Sequence, residues 1–395
     1  METKLTIIEN LDGPLAKSLT LSQGKLQKAA AAILTRGQAT EVTAHSVRDL
    51  AAIVAGLTSR QALTFGITGK SKVRITTQAK IETGKAPNGA VSRDRANFAW
   101  PDGSGVLMLD IDQPKDGSKP FKAREFDDML CELLPWWVPV ARMFRPSASA
   151  FVYDAAGNQL TGAGSLRCYA IVDKAEHIPA IGLAITDTLW RAGHGRIEFS
   201  AAGSMQPRCP VDAAVWQPER LDFAGPSVLG DGLTQRKFPP LIYDGWAISA
   251  ASAIAHGPGN ISVAEWAAKS PDVAKARAAA QPEESHRRGA YVEKRVATAP
   301  DPETAKRRYY AALGLGKLDL STPILFANGR TATVADVLRD PSAFDGMRCA
   351  DPEDPEYAHD RRIARLYANG GWPRIFSHAH GGTTYKLGRA DQCAA

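Results

Sequence analysis

The sequence predicts an α+β fold with more than one domain. Three observations carry this. Short apolar runs and helix-like stretches alternate through the first 245 residues without a repeating unit. Residues 246–312 then shift to alanine, lysine, arginine and glutamate with few β-branched side chains, and a second mixed block follows. The chain has 395 residues, 44% hydrophobic and 23% charged, which is enough for several cores of ordinary composition. We expect a main domain over 1–245 with a helical N-terminal part, a helical connector over 246–312 and a small C-terminal domain over 313–395.

Residues 1–20 show no strong period. The alanine-rich stretch from Gly24 to Arg36 predicts a helix, and a second helix starts near Ser46 and ends by Gly56. The stretches from Ala62 to Ile67 and from Val73 to Thr77 read as strands. Between them, Gly66-Ile67-Thr68-Gly69-Lys70-Ser71 imitates the end of a phosphate-binding loop. Thr64 stands where that loop needs glycine, and a strand rather than a helix follows, so no ATPase motor is expected.

The most informative stretch is Gly105-Val106-Leu107-Met108-Leu109-Asp110-Ile111-Asp112. Its apolar run predicts a strand buried on both faces. Side chains alternate along a strand, so Asp110 and Asp112 point to the same side. Two like charges held together in a partly buried place call for a proton or a cation, and oxygen donors suit magnesium or manganese. A plainer reading is that both mark the strand's exit to solvent.

After this strand, Phe121 to Leu134 predicts an amphipathic helix with Phe126, Met129, Leu130, Leu133 and Leu134 inward. A strand pair is expected from Ala150–Tyr153 and Leu166–Val172, with a turn near Asp154 to Asn158. Pro179 to Arg191 reads as a helix and Ile197 to Ser200 as a strand. Ser262-Val263-Ala264-Glu265 fits a capping box. Near the C-terminus, His378 and His380 share a face if extended and could bind a metal, although Gly381-Gly382 also suits a hairpin with structural histidines.

The formal net charge of +6 is compatible with a polyanionic partner. The five cysteines, Cys131, Cys168, Cys209, Cys349 and Cys393, are scattered without a Cys-x-x-Cys pair, which argues against a disulfide framework and a cysteine zinc site. No apolar run has the length of a membrane span, and Met1-Glu2-Thr3-Lys4-Leu5 lacks a signal-peptide pattern. A cytoplasmic protein is expected.

Three separated pieces resemble, in order, the three motifs of archaeo-eukaryotic-type primases and primase-polymerases. They are the aspartate strand, Ser165-Leu166-Arg167-Cys168-Tyr169, and Val211-Asp212. The likeness is to the branch found in plasmids, phages and integrative elements. Ser92-Arg93-Asp94-Arg95 and Pro218-Glu219-Arg220-Leu221-Asp222-Phe223 support it, as do, more loosely, the segments around Asp351 and Phe376.

The resemblance implies an RRM-like catalytic core. It implies template-directed nucleotidyl transfer from nucleoside triphosphates on single-stranded DNA, for primer synthesis in replication of a mobile element. Asp110, Asp112 and Asp212 would be the catalytic ligands of two Mg2+ or Mn2+ ions. Arg167 stands where the family usually carries a histidine, and it would contact the nucleotide with Ser165, Arg93 and Arg95. Lys70, Lys72, Arg208 and Arg220 are the candidate DNA contacts. A separately encoded replicative helicase is the implied partner, since the chain has no ATP-binding motif. The alternative keeps the fold without the chemistry, as a replication initiator or accessory DNA-binding protein. A nickase built on His378, His380 and Tyr385 is a third and weaker reading.

Overall fold

Threonine occupies inward positions of the first strand, which hides its period from the sequence. β1 (Thr3–Asn10) buries Thr3 and Thr6 beside Leu5 and Ile8. Next, β2 (Ala16–Ser22) and β3 (Lys25–Ala31) form an antiparallel hairpin where a helix from Gly24 to Arg36 was expected. The reason is its turn. Gln23 and Gly24 both take positive φ (49° and 73°), the two-residue geometry whose twist matches a hairpin, and strand pairing overrides alanine's helical propensity. The computed structural model describes residues 1–31, 34–113, 120–200, 202–297, 299, 301–369, 372–379 and 382–388. His380, with Gly381 beside it, lies outside the described residues.

β4 (Arg36–Ala44) is followed by the expected helix, α1 (Val47–Gly56), capped by Ser46, whose Oγ accepts from the Asp49 N–H at 3.1 Å. β5 (Gln61–Thr64), β6 (Lys72–Thr76), the short α2 (Gln78–Glu82) and β7 (Val91–Ser92) complete a five-stranded sheet of order β5-β1-β4-β6-β7. Its core gathers Ile8, Ala39, Ala62, Ile75 and Phe98.

The aspartate strand is β8 (Gly105–Ile111), buried along its apolar run. α3 (Ala123–Leu133) follows, with Phe126 and Leu130 buried. Then come β9 (Arg142–Pro146), β10 (Val152–Tyr153), β11 (Leu166–Val172) and α4 (Ile178–Arg191). β11 lies between β8 and β9 and is antiparallel to both. The expected pairing of 150–153 with 166–172 is therefore not formed. β11, buried at every position, needs partners on both edges and takes β8 and β9.

β12 (Arg196–Phe199) and β13 (Met205–Arg208) make a hairpin. β14 (Val228–Leu229) joins β2, β15 (Thr234–Gln235) pairs β10, and β16 (Leu241–Tyr243) closes the order β16-β9-β11-β8. On the outer edge of β8, Ile111 makes an antiparallel bridge with Val211. Residues 210–212 thus occupy the position next to β8.

α5 (Ala250–Ile254) and α6 (Val263–Lys269) follow, the latter capped by Ser262. α7 (Pro271–Val296) and α8 (Pro302–Leu315) lead to β17 (Lys317–Leu318), β18 (Pro323–Leu325), β19 (Thr331–Thr333) and α9 (Val334–Arg339). β20 (Arg348–Cys349), β21 (Ala364–Tyr367), β22 (Arg374–Ser377) and β23 (Thr383–Leu387) complete a five-stranded sheet, β17-β23-β22-β21-β20. The chain folds as two compact units, residues 1–195 with 209–270, and 196–208 with 271–395. The helices read as a connector are divided between them: α5 and α6 belong to the first, α7 and α8 to the second. Among the described residues no helix is long and apolar enough to cross a membrane.

Candidate functional site

The site is built from the end of β8 outward. Asp212 donates its N–H to the Asp110 carbonyl at 2.9 Å, and Asp112 donates to the Pro210 carbonyl at 2.8 Å. These bonds bracket the Ile111–Val211 bridge, so Asp212 stands opposite Asp110. On the other edge, Asp110 is opposite Arg167, and Arg167 is opposite Arg145 of β9. Opposed residues share a face, and so do residues two apart on one strand. One face therefore carries the row Asp212, Asp110, Arg167, Arg145, with Asp112 and Ser165 in the next row.

Local bonds fix these side chains. Asp212 caps the short turn Ala213–Val215 by accepting the Ala214 N–H at 3.0 Å. Ser165 Oγ lies 3.5 Å from Asp112 Oδ1, long for a hydroxyl–carboxylate bond. Trp216 donates its indole N–H to the Met108 carbonyl at 2.9 Å, anchoring the Asp212 segment to β8.

Arg167 is only 5% exposed. Its Nη1 donates to Asp222, and its Nε sits 3.8 Å from Asp110 with no hydrogen-bond partner. Asp222, 1% exposed, also accepts from the Tyr169 hydroxyl at 2.7 Å. It reaches this place because the backbone of Asp222 pairs with Leu63 at the end of β5, exchanging bonds of 2.8 and 3.0 Å. Burial works against the Arg167 charge, but Asp222 and Asp110 more than offset it, and the guanidinium stays charged. Asp110 is pushed above the usual carboxylate range, first by burial and then by Asp112, Asp222 and Asp212, while Arg167 opposes the rise.

Three residues here carry no role in the sequence reading: Asp222, Tyr169 and Lys17. Asp222 lies in the segment quoted for the resemblance. A carboxylate between Leu221 and Phe223 is the signal, since a charge in an apolar stretch needs a buried partner. Lys17 on β2 is half-buried and lies in the field of Arg167, Asp110 and Asp112. Burial and then Arg167 hold its ammonium below the usual lysine range, with the two aspartates pulling the other way.

The remaining predicted residues lie elsewhere. Arg93 donates to the Glu219 carbonyl at 2.5 Å and Arg95 to the Glu219 carboxylate at 3.1 Å. Both thus hold the segment that leads to Asp222. Exposed Arg220 neighbours Arg93. Lys70 and Lys72 are exposed, Lys70 in the loop before β6 and Lys72 on β6 of the N-terminal five-stranded sheet. Arg208 is on β13, in the second unit, and donates to Gln206 at 2.7 Å.

A cleft of about 310 Å³ also opens beside β9. Arg145, Phe151, Arg236, Lys237 and Phe238 line it, with the Phe151 and Phe238 rings 4.6 Å apart.

The donor set is oxygen only, the chemistry of magnesium or manganese. Among the described residues, no three His, Cys, Asp or Glu side chains are gathered closely enough to hold an ion by themselves. Magnesium is usually held by one or two carboxylates together with substrate phosphates, so a full protein cage is not required. The raised Asp110 pKa fits a place where an added cation would be favourable. No family model, curated protein or solved structure matches this chain.

Proposed function

We propose that this protein is a metal-dependent DNA primase or primase-polymerase that joins nucleotides on single-stranded DNA during replication of a mobile element. The observation that carries the reading is the cross-strand row of Asp212, Asp110 and Arg167 with Asp112 beside it. The order 210–212, β8, β11, β9, with α3 following β8 and α4 following β11, supports the RRM-like part of this reading. Asp110, Asp112 and Asp212 would hold the Mg2+ or Mn2+ ions. Such ions, when bound, neutralise phosphate charge and activate the attacking oxygen.

The chain's own part is positioning. Arg167, pinned by Asp222, turns its unbonded Nε toward Asp110. Lys17 adds a second cation in the field of Asp110 and Asp112, suited to a triphosphate. Arg145, Arg236, Lys237 and the Phe151–Phe238 pair offer a template strand cations and ring faces in one cleft. A separately encoded helicase and a cytoplasmic setting belong to the same proposal.

The test is synthesis of labelled oligonucleotides on single-stranded DNA with manganese or magnesium. Wild type should give product. Asp110→Asn with Asp112→Asn, and Asp212→Asn, should each lose about 10²-fold or more. Product that persists in these variants would overturn the reading. The ion pair of Arg167 with Asp110 favours a second reading, a non-catalytic initiator in which the guanidinium takes the cation's place. That reading expects no product from the wild type, with single-strand binding preserved.

A further inference from the structure

The sheet of the second unit has two unlike faces. Leu318, Cys349, Leu366, Ile375, Tyr385 and Leu387 line its buried face and form one core. Register settles what stands on the other. Lys317 is opposite Lys386, Lys386 opposite Arg374, and Arg374 opposite Tyr367. In the neighbouring row, Arg348 is opposite Arg365, Arg365 opposite Phe376, and Phe376 opposite Thr384. Each of the five strands thus places one cation on the outer face, and no strand places a carboxylate there.

Aromatic rings lie among these cations. The Arg374 guanidinium is 5.0 Å from the Tyr367 ring centre and 4.9 Å from that of Trp372, and Lys386 lies 5.3 Å from Trp372. Trp372 is 45% exposed. The exposed His378 ring stands edge-on to Phe376 at 5.0 Å. Among the described residues, Arg348, Arg365, Arg374 and Lys386 make no ion pair, and the Arg365 Nε is buried without a hydrogen-bond partner. The carboxylates at the margin are engaged: Asp360 with Arg362, and Asp345 with the N–H groups of Ala368 and Asn369.

We propose that the outer face of the β17-β23-β22-β21-β20 sheet is a binding platform for single-stranded nucleic acid. Cations at strand spacing meet successive phosphates, and the Trp372, Tyr367 and Phe376 rings stack unpaired bases. Interleaved rings favour a single strand over a duplex, whose bases are already stacked, and over an anionic membrane, which offers no base. The platform shares its partner with the function proposed above but none of its residues, so either can fail alone.

The experiment measures polarisation of a labelled oligothymidylate with the full chain, without metal or nucleotide. Trp372→Ala, and Arg374→Glu with Lys386→Glu, should each weaken binding about tenfold or more. The charge-reversal pair should also lower the salt slope by about 1 for each phosphate that is no longer neutralised. Trp372→Ala removes an exposed ring, so its fold, checked by circular dichroism, is not at risk. The readout needs neither metal nor nucleotide, so it stands whether or not synthesis is seen. Wild-type binding by Trp372→Ala and by Arg374→Glu with Lys386→Glu would overturn the platform. So would duplex DNA or anionic vesicles displacing the labelled strand as well as unlabelled oligothymidylate does.

Discussion

Asp110 and Arg167 face each other across β8 and β11, with Arg167 Nε 3.8 Å from Asp110 Oδ1. The same guanidinium is bonded to Asp222, so one buried arginine ties two carboxylates that lie far apart in the chain. At Asp110 three further carboxylates, Asp112, Asp222 and Asp212, act against the cation Arg167. That imbalance gives the face its chemistry and sets how it responds to substitution.

Asp222→Asn should be among the most destabilising conservative changes in the first unit. It leaves the Arg167 charge buried without its main partner, at a cost of about 3–5 kcal/mol. The double variant Arg167→Met with Asp222→Leu should cost less than Asp222→Asn alone, because it removes both charges. Urea unfolding of the three chains decides this. A double variant that loses more than the single one would show that the ion pair is not what Asp222 supplies.

Asp110→Asn should separate stability from metal response. The folded-state pKa of Asp110 is raised, so the folded chain holds this proton more tightly than the unfolded chain does. Stability from this source is present below the usual carboxylate range and is lost as pH rises through the raised value. Near neutral pH the ionised carboxylate is a cost, and the amide removes it. Asp110→Asn should therefore melt no lower than the wild type without metal. Manganese should raise the wild-type melting temperature and leave that of Asp110→Asn with Asp112→Asn unchanged. An equal manganese shift in both chains would count against these ligands.

Gly182→Ala tests how the helix layer sets the site. A Cβ at Gly182 on α4 would run into the Trp216 ring, and Trp216 holds the Asp212 segment to β8 through the Met108 carbonyl. Overpacking of this kind costs about 1–3 kcal/mol. The change should lower the melting temperature and reduce the proposed nucleotide transfer further than the folded fraction explains. Unchanged transfer per folded molecule would show that the Asp212 turn does not depend on Trp216.

The aspartate strand was legible because an apolar run after a glycine ends in a carboxylate pair, and α1 because Ser46 announces it. The Gln23-Gly24 hairpin was not. Its turn lacks the common Asn-Gly signal, and alanine's local preference points to a helix. Pairings at a distance were equally hidden. Asp222 meets Arg167 across 55 residues, and Lys17 comes from a strand with no visible period. Single side chains in β8 and β11 could be read from spacing, whereas the countercharges around them depend on how other segments cross the sheet.

Glu353 predicts a pH dependence that belongs to the second unit alone. It is 4% exposed and sits beside Asp351, which accepts from the Glu353 N–H at 2.9 Å, the Asp354 N–H at 2.7 Å and the Tyr385 hydroxyl at 3.3 Å. Burial, then Asp351, push its pKa from the usual 4.5 up to about 7, with Tyr385 and Arg288 opposing and Asp354 adding to the rise. A raised carboxyl pKa means that stability is fully present below about pH 4.5. It is lost as pH climbs through about 7, on the order of 3 kcal/mol in all. Glu353→Gln keeps the shape and removes the titration. Thermal melts of both chains across this window should therefore show the wild type losing stability relative to Glu353→Gln as pH rises. Curves that stay parallel throughout would mean that Glu353 is ionised in the folded chain at every pH tested, and that Tyr385 and Arg288 outweigh its burial beside Asp351.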